Sequence, residues 1–139
     1  FRIYIAPQPQ VNIDNHTPLS RTDLRLLRRI ARDARTRGSS AEETIRMWPN
    51  VRNGEFCYIY PSQQNADYVF DSYRPYEPSA LRNIVIPQLD KVPIDSPEHL
   101  TASRLKARVK YFLPIPLEDI PCNSLRREFV GGTSFKDAR

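Results

Sequence analysis

Apolar positions recur along this chain in two rhythms. Phe1 to Ile5 alternates apolar and polar residues, the period of a strand with one face turned inward. Asp67-Tyr68-Val69-Phe70-Asp71 is a second short strand, built from aromatic and β-branched residues. Between them the period lengthens. Leu24, Leu27, Ile30, Ala31 and Ala34 share one side of a helix at roughly 100° per residue, which predicts a helix from about Thr22 to Arg35. Ser20 with Asp23 three residues later opens it, and Gly38 stops it. Ser40 and Glu43 form a capping box for a second helix, Ala41 to Trp48, which Pro49 and Asn53-Gly54 break.

Glu55 to Tyr60 reads equally as a helical turn or a strand. Pro78 suits the first turn of a helix running to Leu89, with Pro87 bending or ending it. Ser96-Pro97-Glu98 opens another helix, whose stripe of Ala102, Leu105, Val109 and Phe112 keeps helical spacing. Asn123 or Ser124 caps a last short helix closed by Gly131-Gly132. There is no internal repeat and no low-complexity tract.

The 139 residues suit one domain of ordinary size, and 40% hydrophobic with 27% charged residues is globular composition. Thirteen prolines against four glycines cut the chain into short elements and leave little material for glycine-rich loops. No apolar run approaches the roughly 20 residues of a membrane helix. Cys57 and Cys122 form no CxxC pattern, which reads as two reduced thiols packed in the interior of a cytoplasmic protein. His16 and His99 are too few and too far apart for a metal site, so no metal ligand is assigned. Tyr58, Tyr60, Tyr68, Tyr73 and Tyr76 are read mostly as core or half-buried side chains.

The net charge is +5, and all but four of the 21 basic residues are arginine. Seven of these lie between Arg21 and Arg37. Arg25, Arg28, Arg29 and Arg32 fall on the helix side opposite the leucines, within about a quarter turn or slightly more. Like charges four residues apart repel by a few tenths of a kcal/mol per pair, and Asp23 and Asp33 offset only part of this. Such a stripe can be a solvated face, can pair with carboxylates elsewhere in the fold, can follow a nucleic-acid backbone, or can receive a nucleoside triphosphate. Nucleic acid is disfavoured because no second basic run interleaved with aromatics is present.

The stretch Asp23-Leu24-Arg25-Leu26-Leu27-Arg28-Arg29-Ile30-Ala31-Arg32-Asp33, followed by Arg37-Gly38, resembles the lid of the uridine kinase family of P-loop kinases. The surrounding text is similar to a bacterial branch of longer nucleoside kinase-like proteins: Asn12-Ile13-Asp14-Asn15-His16 before the lid, Met47-Trp48-Pro49 after it, and Asn123 through Gly132 near the end. The resemblance implies an α/β fold, the C-terminal portion of a P-loop kinase parallel sheet with a helical lid and added C-terminal helices. It divides the single partial domain into a strand and substrate-side loop (1–19), lid helices (20–53), a last-strand region (54–75) and a C-terminal helical region (76–139).

The resemblance also implies ATP and Mg²⁺ as cofactors, a nucleotide and a small-molecule acceptor as partners, and transfer of the γ-phosphate to a nucleoside-like hydroxyl. Arg32 and Arg37 would meet ATP phosphates. Arg29 and Arg32 would be the catalytic pair, with Arg29 nearer the acceptor. Asp14 and His16 would line the substrate side, although an Asx-stabilised turn explains that loop equally well. The lid would be mobile without nucleotide. The C-terminal helices would support the kinase domain or form a homo-oligomer surface.

Two departures bear on the acceptor. Ser39 follows the Arg-Gly pair where small uridine kinases carry arginine, and Met47-Trp48 stands where they carry glutamine. A third is larger: no Gly-x-x-x-x-Gly-Lys-[Ser/Thr] occurs in these residues. The chain therefore reads as the C-terminal part of a longer kinase, inactive by itself. A non-catalytic nucleotide- or nucleic-acid-binding module of kinase-like fold is the alternative.

Overall fold

The computed structural model describes residues 1–135. The last four residues of the region assigned to C-terminal helices, 136–139, lie outside the described residues.

Two short strands, β1 (Ile3–Ala6) and β2 (Tyr68–Asp71), pair in parallel with Ile3 opposite Tyr68 and Ile5 opposite Phe70. A parallel pair needs a long crossover. Here it carries α1 (Arg21–Thr36) and α2 (Ala41–Gly54), then a π-helical turn (Glu55–Ile59) and a 3₁₀ turn (Tyr60–Asn65). After β2 come α3 (Glu77–Leu89), α4 (His99–Val109) and the one-turn α5 (Arg127–Val130). The mixed helix and parallel-strand content agrees with an α/β kinase fragment.

Helix α1 is the centre of the core and does not hang from it. Leu24, Leu26, Leu27, Ile30 and Ala31 are each at most 1% exposed. Its neighbours are α2, α3 and α5. The periodicity missed Leu26, because burial reaches further round the helix than the leucine stripe. It also placed Ala34 inside, where the structure leaves it half-buried.

The caps follow local chemistry. Ser20 Oγ accepts from the Asp23 backbone N–H at 3.0 Å. Asp23 does not complete a box, because its carboxylate turns inward to Arg104 and Arg108 of α4. At α2 the box is complete: Ser40 Oγ accepts from Glu43 N–H at 3.1 Å, and the Ser40 N–H donates to Glu43 Oε2 at 2.9 Å. Ser40→Ala is expected to lower stability by about 1 kcal/mol, read from a thermal melt. An unchanged melt would show that the Glu43 half of the box suffices.

Pro49 was expected to break α2, yet the helix runs through it to Gly54. Proline leaves the Ile45 carbonyl without its usual donor. Buried contacts on both sides, Ile45 and Trp48 before it and Glu55 after it, hold the path helical. The ambiguous segment Glu55–Tyr60 is accordingly helical, wound as a π turn. The segment 54–75 thus opens on helical turns and carries its strand only from Tyr68. Cys57 and Cys122, expected inside, are both exposed free thiols. Of the tyrosines, Tyr73 is buried and Tyr60 and Tyr76 half-buried, whereas Tyr58 and Tyr68 are exposed.

Strand β1 has one covered and one uncovered face, whereas all four residues of β2 are exposed. Tyr4 and Ala6 of β1 are buried, while Ile3, Ile5, Tyr68 and Phe70 are all at least 40% exposed. Parallel strands are normally covered on both faces.

Candidate functional site

Both strands run toward the same end of the pair, where ligands of open parallel sheets bind. There the chain leaves β1 through Pro7 and leaves β2 through Ser72. A cavity of about 320 Å³ opens at this end. Ile5, Pro7 and Ser72 form its floor, and Arg25, Arg28, Arg29 and Arg32 of α1 form one wall. Trp48 and Val51 of α2 and Phe129 of α5 complete the lining. The arginine stripe therefore does converge on one cavity, at the small end of the size range of ligand sites.

The four guanidiniums are not equivalent. Arg25 Nη2 lies 2.7 Å from Glu55 Oε1, and Glu55 also takes Arg52 at 2.5 Å. The Tyr60 hydroxyl donates to the same carboxylate at 3.1 Å. Arg28 grips Glu77 through Nε and Nη2, the latter at 2.7 Å. Arg126 of the C-terminal segment approaches Glu77 at 3.7 Å. Arg28 and Arg126 both donate to the Ser72 carbonyl, and the Phe129 ring lies 5.5 Å from the Arg28 guanidinium. Glu55 and Glu77 are each 1% exposed. Arg25 and Arg28 are thereby committed to buried carboxylates. Burial pulls the Arg126 guanidinium below its usual range, and Glu77 opposes that pull.

Arg29 and Arg32 differ. Among the described residues both meet only Asp33 closely, Arg29 Nε at 3.2 Å and Arg32 Nε at 3.4 Å. Arg32 Nη1 also lies 3.7 Å from the exposed Glu128. Arg37 does not line the cavity but reaches the same Asp33 at 3.3 Å. Three arginines thus share one carboxylate, which leaves a net charge of about +2 beside the cavity.

Asp14 and His16 are not among the lining residues. Asp14 Oδ1 accepts from the backbone N–H groups of His16 and Thr17, both at 2.8 Å. These bonds hold its carboxyl below the usual carboxylate range, the His16 N–H most of all. The loop is closed by Ile13 N–H to the Thr17 carbonyl and Leu19 N–H to the Val11 carbonyl. An Asx turn is the geometry observed.

Sequence reasoning missed three residues here. Phe129 lies in a helix of one turn and Arg126 at its N-cap, an element too short to show periodicity. Glu77 drew no reading at all; a lone acidic residue at a helix start gives no sign that it will be buried between two arginines.

Among the described residues no group of three or more His, Cys, Asp or Glu side chains is placed to hold a metal ion. Mg²⁺ in phosphotransfer is commonly held by one or two carboxylates together with substrate phosphates and water, and the arginine wall suits the anionic groups of ATP. Among the described residues no helix is long and apolar enough to cross a membrane.

The sequence model of the Phosphoribulokinase / Uridine kinase family matches residues 19–77. The matched segment takes in α1, α2, both turns and β2, and it ends on Glu77. No curated protein and no solved structure matches the chain.

Proposed function

We propose, starting from the membership of residues 19–77 in the phosphoribulokinase/uridine kinase family of P-loop kinases, that this chain carries the arginine helix of an ATP-dependent phosphotransferase. Its reaction passes the γ-phosphoryl group to a hydroxyl of a nucleoside or similar small acceptor. The observation that carries this reading is the arginine-lined cavity at the common end of two parallel strands.

Phosphoryl transfer asks a protein mainly to position groups and to stabilise charge on the phosphoryl oxygens. Arg32 and Arg37, loosely held at Asp33, are the residues for ATP phosphates. Arg29, on the same carboxylate, faces the transferring group and the acceptor. Arg25 and Arg28 fix the orientation of α1 through Glu55 and Glu77. Trp48, Val51 and Phe129 offer the acceptor an apolar wall. The uncovered apolar face of β1 and β2 supports membership in a larger parallel sheet, to which other parts of a P-loop kinase would contribute strands and the phosphate-binding loop.

The test is transfer of labelled γ-phosphate from ATP to a panel of nucleosides by a protein in which this chain is joined to a P-loop segment. A labelled nucleoside monophosphate is the expected product. Tight ATP binding without turnover on any hydroxyl acceptor would overturn the kinase reading in favour of a binding module. The 139 residues by themselves should show no turnover, because they lack the glycine-rich phosphate cradle.

A further inference from the structure

We infer that Asp33 is a positioning residue, whose buried carboxylate gathers Arg29, Arg32 and Arg37 into one receptor for a phosphoryl dianion. The inference rests on the phosphotransfer reading of the same site.

Asp33 is 4% exposed, and three guanidiniums reach it from three directions. Arg29 comes from one turn earlier in α1, Arg32 from the adjacent position and Arg37 from beyond the helix end. The Asp33 backbone takes part as well. Its carbonyl accepts from the N–H groups of Arg37 at 3.0 Å and Ser39 at 3.2 Å, which folds the turn carrying Arg37 back over the carboxylate. One residue thus sets the position of all three arginines, through its side chain and its main chain together.

The distances separate this cluster from the other buried carboxylates. Asp23, Glu55 and Glu77 each hold an arginine at 2.7 Å or closer, Arg104 at 2.6 Å, Arg52 at 2.5 Å and Arg28 Nη2 at 2.7 Å. At Asp33 the three contacts are 3.2, 3.4 and 3.3 Å. Arg29 and Arg32 make their closest approach through Nε. Each guanidinium has five N–H donors, so most donor capacity is left for a ligand. The charge balance points the same way. Three guanidiniums against one carboxylate leave about +2, and the exposed Glu128 is too solvated to cancel it. A phosphoryl dianion matches that surplus.

A carboxylate that merely competes with the ligand and one that positions the arginines predict opposite signs. Removing a competing negative charge tightens anion binding. Removing a positioning group loosens it, because the arginines must then be ordered at the expense of binding. Asp33→Asn keeps shape and deletes the charge. Binding of inorganic phosphate and of pyrophosphate would be measured by calorimetry at low salt, with thermal melts on both proteins. The expected result is at least about tenfold weaker binding by the variant.

Equal or tighter binding by a folded variant would overturn the inference and leave the phosphotransfer reading standing. Absence of any phosphate binding by the parent would also overturn the inference, whereas failure of labelled transfer in the P-loop-joined protein is what overturns the phosphotransfer reading. Should the variant not fold, the arginine side-chain Nε–H signals of the parent decide the matter. Those of Arg29 and Arg32 should be protected from solvent exchange before and after phosphate is added. Exchange as fast as at the exposed Arg2 would overturn the inference.

Discussion

Glu77→Ala is expected to destabilise the fold by about 3–5 kcal/mol, the cost of removing one partner from a buried ion pair. Glu77 is 1% exposed, and the side chains of Arg28 and Arg126 are only 11% and 10% exposed. Without Glu77 these two guanidiniums face each other with the Ser72 carbonyl as their shared acceptor. Burial already pulls Arg126 below its usual range, and Glu77 is the first group that opposes this. The node joins α1, the start of α3 and the C-terminal segment, so its loss loosens three elements at once. Urea unfolding should show a lower midpoint at an unchanged slope. Glu77→Gln keeps an acceptor without the charge and should fall between parent and alanine. Loss of the exposed Arg46–Glu42 pair is a fitting control, because surface pairs contribute about 0–1 kcal/mol. A Glu77→Ala loss no larger than that of Glu42→Ala would show that the node does not hold α1 in place.

Arg32→Ala, in a protein competent for transfer, should lower kcat by about a hundredfold or more, as loss of a donor acting mainly in the transition state does. The same change should barely move the melting temperature. Arg32 is partly exposed, and its contacts with Asp33 and Glu128 are long, at 3.4 and 3.7 Å. Stability and turnover therefore separate at this residue, whereas at Arg28 they are tied together through Glu77. Arg32→Lys should restore only part of the rate, since a point charge replaces a planar fork of donors. Turnover of Arg32→Ala within a factor of two of the parent would remove Arg32 from the phosphate site.

Much of this could be read from local spacing. The limits of α1 and α3 lie within one residue of the expected ones, and both strands came from short apolar runs. The Ser40–Glu43 box is a three-residue pattern that formed as written. The arginine stripe was visible because helical geometry alone brings Arg25, Arg28, Arg29 and Arg32 to one side, and the family match on residues 19–77 agrees with the resemblance that stripe carries.

Spacing could not show what faces the stripe. Arg28 finds Glu77 across 49 residues, and Asp23 finds Arg104 and Arg108 across 81 and 85. Which carboxylates reach which arginines depends on how α1 packs against α2, α3 and α5 and where that leaves α4, and no pattern of neighbouring residues encodes that. The same holds for Pro49, whose local preference for ending a helix lost to the buried contacts on either side. It holds too for the two cysteines, whose apolar character predicted burial and which the fold leaves exposed. Residue order alone therefore determined where the helices and strands lie and that four arginines would share a face. Only the tertiary structure divided those arginines, tying Arg25 and Arg28 to buried carboxylates at short range and leaving Arg29 and Arg32 loosely held beside a cavity, because ion pairing is settled by distances in space and not along the chain.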